Sequence, residues 1–147
     1  MACADVDRST ELMAGEDYSI ATREDAVDFM ADYPGFGEMR AYTGALGAEQ
    51  VAFTWRVMPP GTGGRGSYGH RHHTQEEIMF VVSGTVTFKI GDDVFEAGPK
   101  TSVRIAPHAI RSVHNDTDED AELILCSVTV DDLGSDVEKV DEFWPNG

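Results

Sequence analysis

The chain contains five histidines, and all of them lie within positions 70–114. His70 and His72 are two residues apart, and Glu77 follows five positions after His72. On an extended strand the two histidines point to the same side, because side chains alternate with a period of two. Imidazole nitrogens and a carboxylate oxygen are ligands that suit Fe, Mn, Ni, Cu or Zn. The spacing therefore predicts a metal site if a bend brings Glu77 back to the histidines.

Histidine and glutamate also occur as solvated side chains on surface strands, so the glycines around these three residues are informative. Gly64 precedes His70 by six positions, and Gly84 follows Glu77 by seven. Together with His72, these residues satisfy the pattern G-x5-H-x-H-x3,4-E-x6-G at every position. The run resembles the first sequence motif of the cupin family, and the resemblance extends over residues 50–130.

This resemblance implies a fold and a ligand set. Cupins form a double-stranded β-helix, which is a small jelly-roll barrel with a metal ion inside one mouth. By resemblance, His70, His72 and Glu77 are three metal ligands, and the metal cofactor is Fe, Mn, Ni or Zn.

A second stretch also resembles the family pattern but departs from it at one position. Gly98-Pro99 resembles the turn that opens the second cupin motif, and Asn115 matches its closing residue. Cupins have a fourth ligand, a histidine, four residues before this asparagine. Here that position holds Arg111. Its guanidinium stays protonated at useful pH and offers no lone pair to a metal.

Three arrangements are compatible with Arg111 at this position. In the first, the three first-motif ligands hold the metal alone, as in two-histidine, one-carboxylate oxygenases, and Arg111 binds an anionic substrate at the pocket edge. In the second, Arg111 pairs with Glu77 and replaces the metal. In the third, a shifted strand register lets His114 or His108 supply the fourth ligand.

The elements that must position these residues are predicted to be mostly strands. Apolar residues alternate with others over positions 51–57, and this pattern predicts a strand. Turn signals separate the later extended runs at intervals typical of an all-β sandwich or barrel. Those runs are 78–82, 85–90, 94–95, 102–105, 111–113 and 123–130.

Both ends of the chain differ from this β pattern. A helix signal begins at Thr22, and a last helical turn is predicted at Val137, Val140 and Trp144. We therefore expect an N-terminal arm with a short helix (1–37), a cupin β-barrel (38–130) and an acidic C-terminal tail (131–147).

Composition limits the partners and the location. The chain has 147 residues, the size of one domain, and a net charge of −16, which argues against binding nucleic acid or an anionic membrane surface. The longest apolar run, Ile78–Val82, is too short to span a bilayer. Cys3 and Cys126 cannot form a disulfide framework, and a secretory signal is not recognised. We expect a cytoplasmic protein.

The sequence leaves the reaction open. The leading hypothesis is a small metal-dependent enzyme that acts on a small organic molecule, most simply an oxygenase and thus an oxidoreductase, with an isomerase as another reaction. The rival hypothesis is a non-catalytic or metal-free cupin that binds a small ligand. The resemblance also implies a homodimer.

Overall fold

The computed structural model describes residues 17–146 and consists mainly of β-strands. The strands are β1 (Val27–Asp28), β2 (Glu38–Ala41), β3 (Val51–Met58), β4 (Ser67–His72), β5 (Glu77–Ser83), β6 (Val86–Ile90), β7 (Asp93–Ala97), β8 (Ser102–Ile105), β9 (Arg111–His114), β10 (Ala121–Val128) and β11 (Val137–Trp144). The helical elements are a 3-10 turn at Arg23–Asp25, α1 (Thr43–Leu46) and α2 (Leu133–Asp136). Among residues 17–146, no helix has the length and apolar content needed to cross a lipid bilayer.

The strands form two antiparallel sheets. The six-stranded sheet has the order β1-β2-β3-β10-β5-β8, and the five-stranded sheet has the order β11-β4-β9-β6-β7. Consecutive strands β4 and β5 lie in different sheets, as do β8 and β9, so the chain passes repeatedly between the two layers. This arrangement confirms the predicted all-β jelly-roll barrel.

The hydrophobic core lies between the sheets next to a cavity. Along β5, Glu77, Met79 and Val81 are buried whereas Ile78 is exposed, which is the period of two expected for a strand with one inward face. Glu77 and Met79 line the cavity, and Val81 belongs to the core. The buried core residues are Met58, Met79, Val81, Val86, Phe88, Ala97, Ile105, Val113, Ala121 and Leu123.

Packing explains both glycines of the first motif. Gly84 joins β5 to β6 with a φ of 73°, and a Cβ at this position would lie 2.5 Å from the carbonyl oxygen of Asp120. Gly64 faces Ser112, and a Cβ there would overlap the serine hydroxyl. The motif glycines are therefore required by backbone conformation and by space.

At both ends of the chain, the secondary structure differs from the helices expected from the sequence. The helix predicted at Thr22 is present only as the 3-10 turn Arg23–Asp25, because the next residues pair with β2 as strand β1. The helical turn predicted within Val137–Trp144 is wrong, because this segment is strand β11 and pairs with β4 at the edge of the five-stranded sheet. The first part of the predicted N-terminal arm, residues 1–16, lies outside the described residues.

Candidate metal centre

Strands β4 and β5 bring the three predicted ligands together. His70 and His72 lie on β4 of the five-stranded sheet, and Glu77 begins β5 of the six-stranded sheet. Residues 73–76 carry the chain from one sheet to the other and supply the bend that the spacing requires. The ligand atoms of the three side chains all lie within 4.8 Å of one another. The site therefore bridges the two layers of the barrel.

A carboxylate from α2 fixes the imidazole of His72. Asp136 Oδ2 lies 3.0 Å from His72 Nδ1, and both side chains are buried. Asp136 also accepts hydrogen bonds from the backbone N–H and hydroxyl of Thr74 and from the backbone N–H of Gln75. Burial acts to raise the pKa of Asp136, but the hydrogen bonds from Thr74, His72 and Gln75 hold it below its usual value. The ionised carboxylate can only accept, so Nδ1 of His72 carries a proton.

The other ring nitrogen of His72 has the properties of a metal ligand. Nε2 is buried and has no hydrogen-bond partner among residues 17–146. In the neutral ring with Nδ1 protonated, Nε2 carries the lone pair. Histidines that bind metals commonly donate their second N–H to a carboxylate, as His72 does to Asp136. A buried unpartnered nitrogen is otherwise costly, so the residues present fit a divalent transition metal ion.

His70 is also in the state that metal binding needs. Burial is the main cause that lowers the pKa of His70 to about 4, and nearby positive charge acts in the same direction. The charged groups that contribute are Arg111 and Arg56. The imidazole is therefore neutral near pH 7, with a lone pair available. The rings of His70 and His72 meet edge to face, with their centroids 5.1 Å apart.

Arg111 lies in the cavity wall and not at its edge. Its side chain is fully buried, with Nε 3.5 Å from Glu77 Oε1. Its Nη1 donates to the carbonyl oxygens of Pro107 and Ala109 at 3.0 and 2.8 Å. Nη2 is buried without a partner in the described part of the chain. Burial lowers the pKa of Arg111, whereas Glu77 acts to raise it. The guanidinium and a metal ion would thus share the same carboxylate.

The structure does not bring the alternative ligands His114 and His108 to this cluster. His114 Nδ1 accepts a hydrogen bond from the backbone N–H of Arg65 at 3.3 Å, and its ring contacts Trp144 edge to face. His108 is exposed in the turn before β9. Arg111 pairs with His70 in the ladder between β9 and β4, so the register that would add a fourth histidine is not adopted.

The candidate ligands face a cavity of about 900 Å³. Strand β3 contributes Ala52, Thr54 and Arg56 to its lining. The alternating pattern of this strand identifies the strand but not which face lines the cavity. Trp55, on the other face, donates a hydrogen bond to Glu122.

Sequence reasoning missed two residues of the site. The sequence of β3 contains a feature that could have identified Arg56, because this arginine is the single charged residue of the strand. Asp136 carried no local signal, because it is one of many acidic residues near the C-terminus.

Comparison with known proteins identifies the family. A family model described as a cupin domain matches residues 54–128, just over half of the chain. The chain belongs to the cupin family. This assignment confirms the resemblance seen in the motif.

Solved structures with the same fold include several cupins of low sequence identity. The polyketide cyclase RemF from Streptomyces resistomycificus has a TM-score of 0.66 at 15% identity, with 87% of this chain and 89% of that chain covered. A sugar phosphate isomerase of the cupin superfamily from Silicibacter pomeroyi has a TM-score of 0.59 at 15% identity, covering 73% and 77%. KdgF from Halomonas sp. has a TM-score of 0.59 at 14% identity, covering 78% and 97%.

At these identities the similarity shows the fold alone. A comparison with curated protein sequences finds no match to this cupin.

Proposed function

We propose that this cupin binds one divalent transition metal ion through His70, His72 and Glu77 and acts as a small metal-dependent enzyme, oxygenase-like, on a small organic molecule. The observation that carries the proposal is the buried, unpartnered Nε2 of His72 beside the ligand atoms of the other two residues. Fe, Mn, Ni and Zn all accept this ligand set. A bound ion would supply Lewis acidity and open coordination positions.

The residues of the chain have separate tasks in this proposal. Asp136 keeps the proton on Nδ1 of His72 and fixes the orientation of the ring. Arg111 presents its unpartnered Nη2 as a donor for an anionic oxygen of the substrate. Met79 and Leu125 line the cavity with apolar surface, which limits water beside the reacting groups.

The similar structures support a small-molecule enzyme without choosing the reaction. One is a sugar phosphate isomerase, and another is a polyketide cyclase. Isomerisation therefore stands beside oxygenation as a reaction to be tested, because fold alone does not fix chemistry.

The contact between Arg111 and Glu77 favours a second candidate function. In a metal-free barrel, the guanidinium would neutralise the buried carboxylate that otherwise faces the cavity. The protein would then be a cupin that binds a small ligand without catalysis.

The test uses purified protein that is stripped of metal with EDTA and reloaded with Fe²⁺, Mn²⁺, Ni²⁺ or Zn²⁺. Oxygen uptake is measured with catechols, β-diketones and thiols, and NMR spectra of the same incubations detect isomerised products. We expect turnover with one reloaded form, its loss in His72→Ala and its retention in His73→Ala. His73 is the matched control, because it is exposed and outside the cluster. Turnover that survives in His72→Ala contradicts the proposal.

A further inference from the structure

The cavity is positively charged in a protein that is strongly acidic overall. Within the described residues its lining contains three cationic side chains, Arg56, Arg111 and Lys139, and one carboxylate, Glu77. The chain as a whole has a net charge of −16. Such a local reversal of sign attracts anionic ligands.

Of these three cationic side chains, Arg56 is the one that forms no ion pair with any residue between 17 and 146. Its Nε is buried and has no hydrogen-bond partner among residues 17–146. Burial lowers the pKa of Arg56, and Tyr68 is the group that acts against this shift, whereas a neighbouring carboxylate would have raised the pKa strongly. A guanidinium whose Nε is buried without an anion beside it is costly, so its presence in a cavity wall points to an anion supplied by a ligand.

The position of Arg56 places such an anion near the candidate metal centre. Arg56 lies on β3 of the six-stranded sheet, and it lines the same cavity as His70 and His72 on β4 of the opposite sheet. Arg111, on β9 of the five-stranded sheet, presents a second buried unpartnered nitrogen to the same cavity. The two guanidiniums therefore approach the cavity from its two layers.

One part of the remaining wall is apolar and aromatic. Phe29, Tyr33 and Phe36, from the segment before the matched cupin region, all line the cavity. Their exposed fractions are 54%, 60% and 52%, so large aromatic surfaces remain uncovered at this wall. Aromatic surface of this kind buries an apolar or aromatic ligand body favourably.

We propose that Arg56 is a specificity-determining residue that recognises the carboxylate of a small organic acid, whose aromatic or otherwise apolar body packs against Phe29, Tyr33 and Phe36. The planar guanidinium fork matches a carboxylate through two parallel N–H···O hydrogen bonds. This inference rests on the proposed function, because it names the substrate class of the same cavity.

The test measures binding by isothermal titration calorimetry, with benzoate, cinnamate and 3-phenylpropanoate as probes and the corresponding neutral amides as controls. Both the EDTA-stripped protein and the Zn²⁺-loaded protein are used. We expect the acids to bind at least about tenfold more tightly than the amides in both forms. Arg56→Gln should remove this preference, and Arg56→Lys should retain part of it.

Arg71→Gln is the matched control. Arg71 lies on β4, pairs with Glu138 and is not part of the cavity lining, so the preference for acids should be unchanged. If Arg56→Gln does not fold, the comparison of acid with amide in the wild type and in Arg56→Lys decides the question.

Equal binding of acids and amides, a preference that survives in Arg56→Gln, or no binding of any probe overturns the inference. Tighter binding of phenyl phosphate than of benzoate also overturns it and assigns the cavity to phosphate esters. A preference for acids in a protein that takes up no metal supports the inference and refutes the metal-dependent enzyme. Metal uptake without a preference for acids overturns the inference and leaves the proposed metal-dependent enzyme in place.

Discussion

Asp136 Oδ2 lies 3.0 Å from His72 Nδ1, and this buried contact ties the C-terminal segment to the candidate metal centre. Asp136 is the last residue of α2, and β11 begins at the next residue, where Val137 pairs with His72 on β4. Asp136 lies outside the matched cupin region 54–128. The C-terminal segment therefore contributes to the candidate site by orienting the imidazole of His72.

Replacing Asp136 tests this positioning role. Asp136→Asn removes the anionic acceptor that fixes the imidazole of His72, and we expect metal affinity to fall about 10- to 100-fold. The measurement is competition for Zn²⁺ against a chelator of known affinity. Glu138→Gln is the control, because Glu138 pairs with Arg71 away from the cluster. Equal affinities for the wild type and Asp136→Asn would rule out the role.

Replacing Arg111 tests the buried ion pair in the metal-free protein. Arg111→Met leaves Glu77 without a cation and the carbonyl oxygens of Pro107 and Ala109 without their donor. We expect the free energy of unfolding to fall by about 3 kcal/mol, because breaking one side of a buried pair strands the other charge. Urea denaturation of the EDTA-stripped protein measures the change.

The control for Arg111 is an exposed arginine. Arg104 pairs with Glu76 on the surface, so Arg104→Met should change the free energy of unfolding by less than about 1 kcal/mol. Similar losses for the two variants would show that the contact between Arg111 and Glu77 does not stabilise the fold.

Gly91 and Gly84 both have positive φ, and replacing each with alanine distinguishes the cost of backbone strain from the cost of steric overlap. Gly91 has a φ of 57° and open space where an added methyl group would lie, whereas a Cβ at Gly84 would lie 2.5 Å from the carbonyl oxygen of Asp120. We expect Gly91→Ala to lower the free energy of unfolding by about 1 kcal/mol and Gly84→Ala by about 3 kcal/mol. Urea denaturation compares them, and equal losses would contradict the packing at the motif turn.

The pH dependence of thermal stability tests whether the ion pairs of Glu38 stabilise the N-terminal segment. Hydrogen bonds from Arg23 and then Arg40 lower the pKa of Glu38 below 4.5, against the opposing effect of burial. Its stabilising contribution is therefore present above the unfolded-state pKa and is lost as the pH falls through the lower folded-state value. Glu38→Gln should reduce the fall in Tm on acidification.

The control for Glu38 is Glu96→Gln. Glu96 is exposed on β7 and forms no ion pair among the described residues. Thermal melts across the acid range give the comparison. A fall in Tm that is as steep in Glu38→Gln as in the wild type would contradict this role of Glu38.

The sequence predicted that the candidate ligands cluster, because their spacing encodes local geometry. His70 and His72 share a strand face by alternation, and the turn glycine Gly84 follows from backbone conformation. Asp136 was not predictable in this way, because its role depends on a contact with a residue 64 positions away. The same long-range pairing makes residues 137–144 a strand, which overrides the local helical spacing.

Arg56 shows a second limit of prediction from the sequence. Alternation along β3 is visible in the sequence, but which of its two faces meets the cavity depends on how the two sheets pack. Only the assembled barrel shows that the charged residue faces inward.

The central claim is that His70, His72 and Glu77 hold one divalent metal ion, and the most direct test is the metal content of untagged, purified protein by inductively coupled plasma mass spectrometry. We expect about one equivalent of Fe, Mn, Ni or Zn per chain, lost in His72→Ala and retained in His73→Ala. Wild-type protein that carries none of these metals and takes up none when they are added would contradict the claim.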